Sequence, residues 1–296
     1  MKKRLKNKIA TSDAVLSLYP IHEAIAILGK TGYDAIELWA QNLDVQLLNK
    51  KTSMDKIKSA LEQAGMTGTI HAPLKNLFAK EPYKYNICSK NVRLRIESIQ
   101  ANLRAIDYTH KLGFNVITIH PGHTDSPEDK ADNEYWNLQI DAFKRLALHA
   151  GEFGVKIGME PMEHRPKEFV MEPAEVDLLI GTVASENLGI TFDLIHAYSH
   201  GVDKPVEFLD KMHKNIFHVH MSGHSKEKNH VPFSMTIIDH QYLDGVLLKL
   251  VDKHTEIISI EGTMKGLVKE TKKSQQEVVK SNLDYIHREL KALHLE

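Results

Sequence analysis

The chain has 296 residues, of which 42% are hydrophobic, and it carries 38 basic against 39 acidic side chains. This balance excludes the strong overall positive charge that draws proteins to nucleic acids or anionic membranes, although a local basic groove remains compatible with it. No stretch approaches the roughly 20 apolar residues of a membrane span, and the basic start lacks the uninterrupted apolar segment of a signal peptide. The single cysteine, Cys88, excludes an internal disulfide framework and a Cys-rich zinc site, and it favours a reducing, cytoplasmic location.

Short β-branched or aromatic runs alternate with longer amphipathic segments along the whole chain. The short runs predict eight strands, which are Ile9–Asp13, Ala35–Trp39, Gly68–His71, Asn115–His120, Val155–Glu160, Leu188–Asp193, Ile216–His220 and Glu256–Glu261. Apolar residues at helical spacing predict helices between and after these strands, at 21–31, 53–65, 89–112, 134–153, 173–183, 204–213, 240–254 and 275–293.

The alternation of strands and helices indicates parallel strands joined by crossover connections. Eight such units in a chain of this length predict an α/β fold, the (β/α)8 TIM barrel, in a single domain over residues 1–296. The alternative is an open doubly wound sheet, whose first strand is normally followed by a glycine-rich phosphate-binding turn. The segment SDAVLSLYP at 12–20 contains no glycine, which favours the barrel.

Six consecutive predicted strands end on a histidine or an acid, and these residues are His71, His120, Glu160, Asp193, His220 and Glu261. The carboxyl ends of barrel strands form the active-site face. Any one such residue is more often a helix cap, as Asp193 in GITFDLIHAYSHG would be, than a ligand. As a set, however, the carboxylates would repel one another unless they were protonated or bridged by a cation. The pattern predicts a divalent metal, with zinc, manganese, cobalt and magnesium all compatible with nitrogen and carboxylate ligands.

Two further residues on the predicted strands carry alternative interpretations. Glu37 either faces the site from the second strand or bonds a neighbour in the barrel core. His218 lies two residues before His220, so both side chains point to the same face of the strand, with His218 one layer deeper in the barrel. Such a position is typical of a hydrogen-bonded core histidine rather than a ligand.

Four motifs, HAPLKNL, HPG, DLIHA…HG and HVHMS…NHVPF, occur in this order along the chain. In their order and spacing they resemble the xylose isomerase-like barrel superfamily, which contains sugar isomerases and epimerases and the endonuclease IV-like apurinic endonucleases. The resemblance covers nearly the whole chain. It implies that one metal is held by Glu160, Asp193, His220 and Glu261. The endonuclease branch adds ligands that match His71 and His120, and a third metal site whose two histidines match His196 and His230.

The chain departs from the family pattern around the seventh strand. Lys228 stands where the third site has an aspartate, and an ammonium group cannot ligate a cation. Gly223 replaces an aspartate that usually follows the strand-seven histidine. A Gly-x-Gly segment is replaced by Ser234, Met235 and Thr236. These changes indicate one or two ions rather than three, and a changed substrate, a changed activity or a lost one.

The resemblance implies three alternative functions. In the first, a divalent-metal-dependent isomerase or epimerase acts on a small sugar or sugar phosphate through an enediolate, with Glu160 and Glu261 as the acid/base pair. His71 and His196 would then orient substrate hydroxyls, and Lys228 would either pair with a phosphate or carboxylate or be a solvated loop residue. The second is a metal-dependent phosphodiesterase for abasic DNA, the only alternative with a nucleic-acid partner. The third is a metal-binding barrel without turnover.

Overall fold

The computed structural model describes residues 5–238, 240–251, 253, 255–264, 266 and 269–295. Its eight parallel strands form a closed barrel, and this confirms the predicted (β/α)8 TIM-barrel fold class. The strands are β1 (Lys8–Ser12), β2 (Ala35–Trp39), β3 (Thr67–His71), β4 (Val116–Ile119), β5 (Lys156–Met159), β6 (Leu188–Asp193), β7 (Ile216–Met221) and β8 (Ile257–Ile260).

Ten α-helices are present in the described part of the chain. They are α1 (Ile21–Thr31), α2 (Ala40–Leu48), α3 (Met54–Ala64), α4 (Val92–Lys111), α5 (Asn133–Glu152), α6 (Pro173–Val183), α7 (Leu194–Tyr198), α8 (Lys204–Lys211), α9 (His240–Leu250) and α10 (Lys272–Ala292). The helices predicted at 21–31 and 173–183 have the observed bounds. Helices α2 and α7 lie in segments for which the sequence predicted no helix, and α9 ends at Leu250 rather than at 254. None of the described helices is long and apolar enough to cross a membrane.

Short elements decorate the connections between strands and helices. Two antiparallel ribbons pair Lys75–Asn76 with Tyr83–Lys84 and Gly223–His224 with Asn229–Val231. Single 3-10 turns occur at Asp13–Leu16, Pro127–Ala131 and Phe233–Met235. The chain divides into two compact units. The first unit contains the described residues up to Gly68 and from His218 onward, and the second contains Thr69–Phe217. The single-domain organisation over 1–296 stays a prediction.

In the first unit, β1 lies between β2 and β8, and β8 also pairs with β7, all in parallel. Ala10, Ala35 and Ile257 form a buried cluster between these strands. The hydroxyl of Thr11 donates a hydrogen bond to the carbonyl of Ile260 at 2.6 Å. Because the strands are parallel, the residues that follow β7 and β8 emerge at the same edge.

In the second unit, β3, β4, β5 and β6 pair in sequence order, again in parallel. A close approach between β5 and β6 requires glycine at position 158. A Cβ atom there would lie 2.1 Å from the Thr191 hydroxyl oxygen, which already shares a 2.9 Å hydrogen bond with the hydroxyl of Thr118. These contacts hold β4, β5 and β6 close together across the sheet.

Candidate active site

Glu160 is the centre of a histidine cluster in the second unit. It directly follows β5, and only 1% of its surface is exposed. Its Oε2 lies 2.8 Å from His120 Nε2 and 3.6 Å from His71 Nε2, while its Oε1 lies 3.5 Å from His196 Nδ1. The predicted positions at the ends of strands three to six are confirmed to within one residue, and the structure brings these side chains together.

Backbone carbonyls orient two of these histidines. His71 Nδ1 lies 2.8 Å from the carbonyl oxygen of Ala72, and His196 Nδ1 lies 2.8 Å from that of Pro161. A carbonyl can only accept, so both Nδ1 atoms carry the proton, and in the neutral rings Nε2 carries the lone pair. For His71, that lone pair faces the Glu160 carboxylate at 3.6 Å.

Asp193 ends β6, as predicted, and its side chain is almost fully buried. Its Oδ1 accepts a 2.7 Å hydrogen bond from the backbone N–H of His196 and thereby caps α7. The cap interpretation is therefore correct for one carboxylate oxygen. His196 lies inside this short helix, in a segment for which the sequence predicted no helix.

His220 occupies the corresponding position in the first unit. It is fully buried on β7, and its Nε2 donates a 2.9 Å hydrogen bond to Glu37 Oε1 on β2. Its Nδ1 therefore carries the lone pair in the neutral ring, and it lies 3.6 Å from Glu261 Oε2. A carboxylate that holds the far nitrogen of a histidine is the usual outer partner of a metal-ligating imidazole.

Glu37 also contacts the second histidine of β7. His218 Nε2 lies 3.4 Å from Glu37 Oε1, and His218 Nδ1 bonds the carbonyl of Ile257 at 3.1 Å. The structure thus supports the core interpretation of both residues. Burial alone would raise the pKa of Glu37, but the adjacent His220 and His218 imidazoles outweigh it and hold the pKa well below its usual range.

His230 and Lys228 belong to the ribbon that follows β7. His230 adopts a left-handed backbone conformation with φ of 55°, and its Nδ1 lies 3.1 Å from the Ser222 hydroxyl and 3.9 Å from Glu261 Oε2. Lys228 lies in the turn of the ribbon, and its backbone N–H donates to the Ser225 hydroxyl at 3.1 Å. The first unit therefore brings His220, His230 and Glu261 together.

Two departures from the family pattern, Gly223 and the segment from Ser234 to Thr236, pack against each other near this ribbon. A Cβ atom at Gly223 would lie 2.8 Å from the Cβ of Thr236 and 3.0 Å from the carbonyl oxygen of Pro232. An aspartate at 223 is therefore incompatible with the present backbone. Ser234 and Met235 form part of the 3-10 turn that leads to Thr236.

Among the residues that the structure describes, two groups of three side chains have potential ligand atoms within 4.8 Å of one another inside a single unit. One consists of His71, His120 and Glu160, and the other of Glu37, His218 and His220. The donor atoms are imidazole nitrogens and carboxylate oxygens, which suit zinc or manganese. Two pairs of lone-pair atoms, His71 Nε2 with Glu160 Oε2 and His220 Nδ1 with Glu261 Oε2, face each other at 3.6 Å. Two lone pairs in contact repel each other unless a cation or a hydrogen-bond donor lies between them, and both types of donor atom suit a divalent cation.

Protonation of His120 is expected to destabilise the fold in acid. Burial lowers the pKa of His120 to about 4, despite the opposing effect of the Glu160 carboxylate. Between that value and the ordinary pKa of about 6.5, the unfolded chain binds more protons than the folded one. The contribution of neutral His120 to the free energy of unfolding is therefore complete above about pH 6.5 and is lost as the pH falls from there toward 4. We expect the free energy of unfolding, measured with urea in EDTA, to fall by about 2 kcal/mol from this group between pH 7 and pH 5.

The matched variants isolate this contribution. In His120→Gln, the free energy of unfolding should lose the part of its pH dependence that His120 contributes. His287→Gln, a change at an exposed position on α10, should keep the full pH dependence. Equal pH slopes in the wild type and His120→Gln would contradict the assignment.

Comparisons with known proteins agree with the fold. The family model "Xylose isomerase-like TIM barrel" matches residues 25–286. A solved structure described as a D-tagatose 3-epimerase-like protein superimposes with a TM-score of 0.73 at 24% identity, covering 96% of this chain and 99% of that one. At this identity the likeness shows the fold alone.

Matches to three curated relatives cover smaller parts of this chain than the structural match does. An uncharacterised protein of Methanocaldococcus jannaschii is 29% identical over 154 residues, and the match spans 51% of this chain and about half, 49%, of the relative. A fructoselysine 3-epimerase of Shigella flexneri is 23% identical over 72% of this chain and 75% of its own length. A probable endonuclease 4 of Thermoplasma acidophilum is 27% identical over 66% of each chain. With the family match over residues 25–286, the chain belongs to the xylose isomerase-like TIM barrel family.

Proposed function

We propose that this protein is a divalent-metal-dependent isomerase or epimerase of a small sugar or sugar phosphate. The observation that carries the proposal is the pair of 3.6 Å contacts between a histidine lone pair and a carboxylate, one at Glu160 and one at Glu261. We assign one zinc or manganese ion to Glu160, Asp193, His220 and Glu261. When bound, the cation supplies positive charge that stabilises an enediolate.

Glu160 and Glu261 move the proton in this proposal. Each is a largely buried carboxylate next to a histidine, and each follows the end of a barrel strand. One removes the proton from the carbon next to the substrate carbonyl, and the other returns a proton to it. The carbon acid loses its proton to a carboxylate and regains one, so the reaction needs no oxidant or reductant.

Other residues orient the substrate. His71 and His196, with their Nδ1 protons held by carbonyl groups, present Nε2 as an acceptor for substrate hydroxyls. Lys228, in the turn of the ribbon that follows β7, is one candidate cation for a phosphate or carboxylate of the substrate. A relative that is a fructoselysine 3-epimerase supports the choice of a ketose as the substrate class.

A second candidate is phosphodiester hydrolysis at abasic DNA. The cluster of His71, His120 and Glu160 favours it, because it offers ligands for a further ion, and a relative is a probable endonuclease 4. Lys228 in place of a ligand and the near-neutral charge of the chain oppose it.

The two candidates are separated by parallel assays on the metal-stripped protein with manganese or zinc added back. We expect deuterium from D2O to enter the carbon next to the carbonyl of a ketose, detected by NMR, only when metal is present. Metal-dependent nicking of an abasic duplex without ketose exchange would replace the proposal with the second candidate. Stoichiometric metal binding without either reaction would favour a barrel that has lost turnover.

A further inference from the structure

A cavity of about 160 Å³ lies beside His120, entirely within the second unit. Its polar lining includes Lys75, Lys84, Arg165 and Asn102. None of these four residues has a role in the proton transfer proposed above.

Two of the lysines oppose each other across the first ribbon. Lys75 and Lys84 are direct partners in the antiparallel register, and both side chains line the cavity. Like charges at directly opposed positions of a ribbon repel each other. An anion between the two ammonium groups would convert this repulsion into attraction.

Other charges around the cavity leave it cationic. Arg165 contributes a third positive charge, which Glu163 partly offsets through an ion pair. Glu168 is the acidic residue of the lining, and burial raises its pKa despite the opposing effects of Lys84 and Arg165. Burial therefore disfavours the negative charge of Glu168, while the three cationic side chains of the lining outnumber it.

A buried amide oxygen provides an independent sign of a ligand. Asn102 lies within α4, and only 3% of its surface is exposed. Its Nδ2 donates to the carbonyl of Ser98 at 2.8 Å, which leaves Oδ1 as an acceptor. That oxygen has no hydrogen-bond partner among the described residues. Buried acceptors are almost always satisfied in native proteins, and because Asn102 lines the cavity, a molecule bound there can supply the donor.

The cavity wall is held in place before any ligand binds. His123 and Glu168 form an isolated backbone bridge, and Asn86 Nδ2 donates to the carbonyl of His123 at 2.8 Å. Gly122 donates its backbone N–H to Gln139 Oε1 at 2.8 Å. A preformed wall lowers the entropy that binding must overcome.

We propose that this cavity is the subsite for the far end of a ketose that carries a phosphate or carboxylate group. The anionic group lies between Lys75 and Lys84 rather than at Lys228, and a substrate hydroxyl donates to Asn102 Oδ1. The identity of the substrate as a ketose rests on the proposed function, whereas anion binding at this cavity does not.

Equilibrium binding to the full-length protein tests the subsite without requiring turnover. The probes are D-fructose, D-fructose 6-phosphate and D-fructuronate, titrated by calorimetry with manganese at low ionic strength. We expect an anionic probe to bind about tenfold tighter than D-fructose, and its affinity to fall as KCl is added. Which anion binds more tightly distinguishes phosphate from carboxylate recognition.

Variants of exposed lysines supply the matched comparison. Lys84→Met should weaken the preferred anion about tenfold and D-fructose less than twofold. Lys80→Met, which removes the same charge from the same loop outside the cavity lining, should change neither. Asn102→Leu should weaken D-fructose and the anions alike, with folding checked by thermal unfolding.

Several results would overturn the subsite. The first two are equal affinity for D-fructose and both anions, and no binding of either anion. The third is that Lys84→Met weakens the binding of all three probes equally. The fourth is that Lys84 is needed only for the binding of duplex DNA. Anion binding that depends on Lys84 without any ketose exchange would retain the subsite and reject the proposed reaction. Exchange of D-fructose with no preference for anions would retain the reaction and reject the subsite.

Discussion

Glu160→Gln is expected to lower kcat for ketose isomerisation by roughly 10²–10⁴-fold, the usual contribution of a positioned acid or base. The amide keeps the size of the side chain but cannot accept the substrate proton. It also removes the negative charge that lies 2.8 Å from His120 Nε2. Solvent deuterium incorporation followed by NMR measures the loss directly.

The control for this prediction is Glu62→Gln, a change of the same chemistry at an exposed position on α3. It should retain wild-type exchange. Urea unfolding of both variants checks that the loss is not caused by unfolding. If Glu160→Gln exchanged solvent deuterium at the wild-type rate while remaining folded, Glu160 would have no part in proton transfer.

Glu37→Ala is expected to lower the free energy of unfolding by about 3–5 kcal/mol, because it leaves two buried histidines without their common carboxylate. Glu37 Oε1 lies 2.9 Å from His220 Nε2 and 3.4 Å from His218 Nε2. Because the same contact directs His220 Nδ1 toward Glu261, metal affinity should also fall, by about 10–100-fold. Chemical denaturation and metal competition titrations measure the two effects.

Two further variants separate orientation from stability. Glu37→Gln retains an oxygen that accepts from His220 Nε2, so we expect it to preserve most of the metal affinity. Glu23→Ala, at an exposed position on α1, should alter neither quantity. Unchanged metal affinity in Glu37→Ala would show that Glu37 only stabilises the barrel core.

The strands were predictable because each is a short buried run bounded by polar residues. Ala35–Trp39 and Leu188–Asp193 have their predicted bounds. Helix α2 was missed because Trp39, which precedes it, provides no side-chain cap, and the following sequence AQNLDVQLL lacks a strong helix-start signal. Two-residue ribbons such as Lys75–Asn76 with Tyr83–Lys84 are too short to produce any periodic pattern.

The sequence predicted which residues form the candidate site, but not which of their atoms contact one another. Parallel strands bring their final residues to one edge, so the positions of His71 and Glu160 follow from the sequence. Which ring nitrogen faces the carboxylate depends on the carbonyl of Ala72, which no residue pattern encodes. Likewise, the contact between His220 and Glu37 joins residues 183 positions apart, and only the register of β7, β8, β1 and β2 brings them together.

The hydrogen bond between Thr11 and Ile260 joins residues 249 positions apart. Pairing of β1 with β8 must therefore wait until β8 has left the ribosome, whereas residues 69–217 are contiguous and have all emerged earlier. Until then one edge of β1 remains exposed to other nascent chains. Pairing of β1 along this edge during synthesis thus depends on β8, the last of the eight barrel strands to emerge.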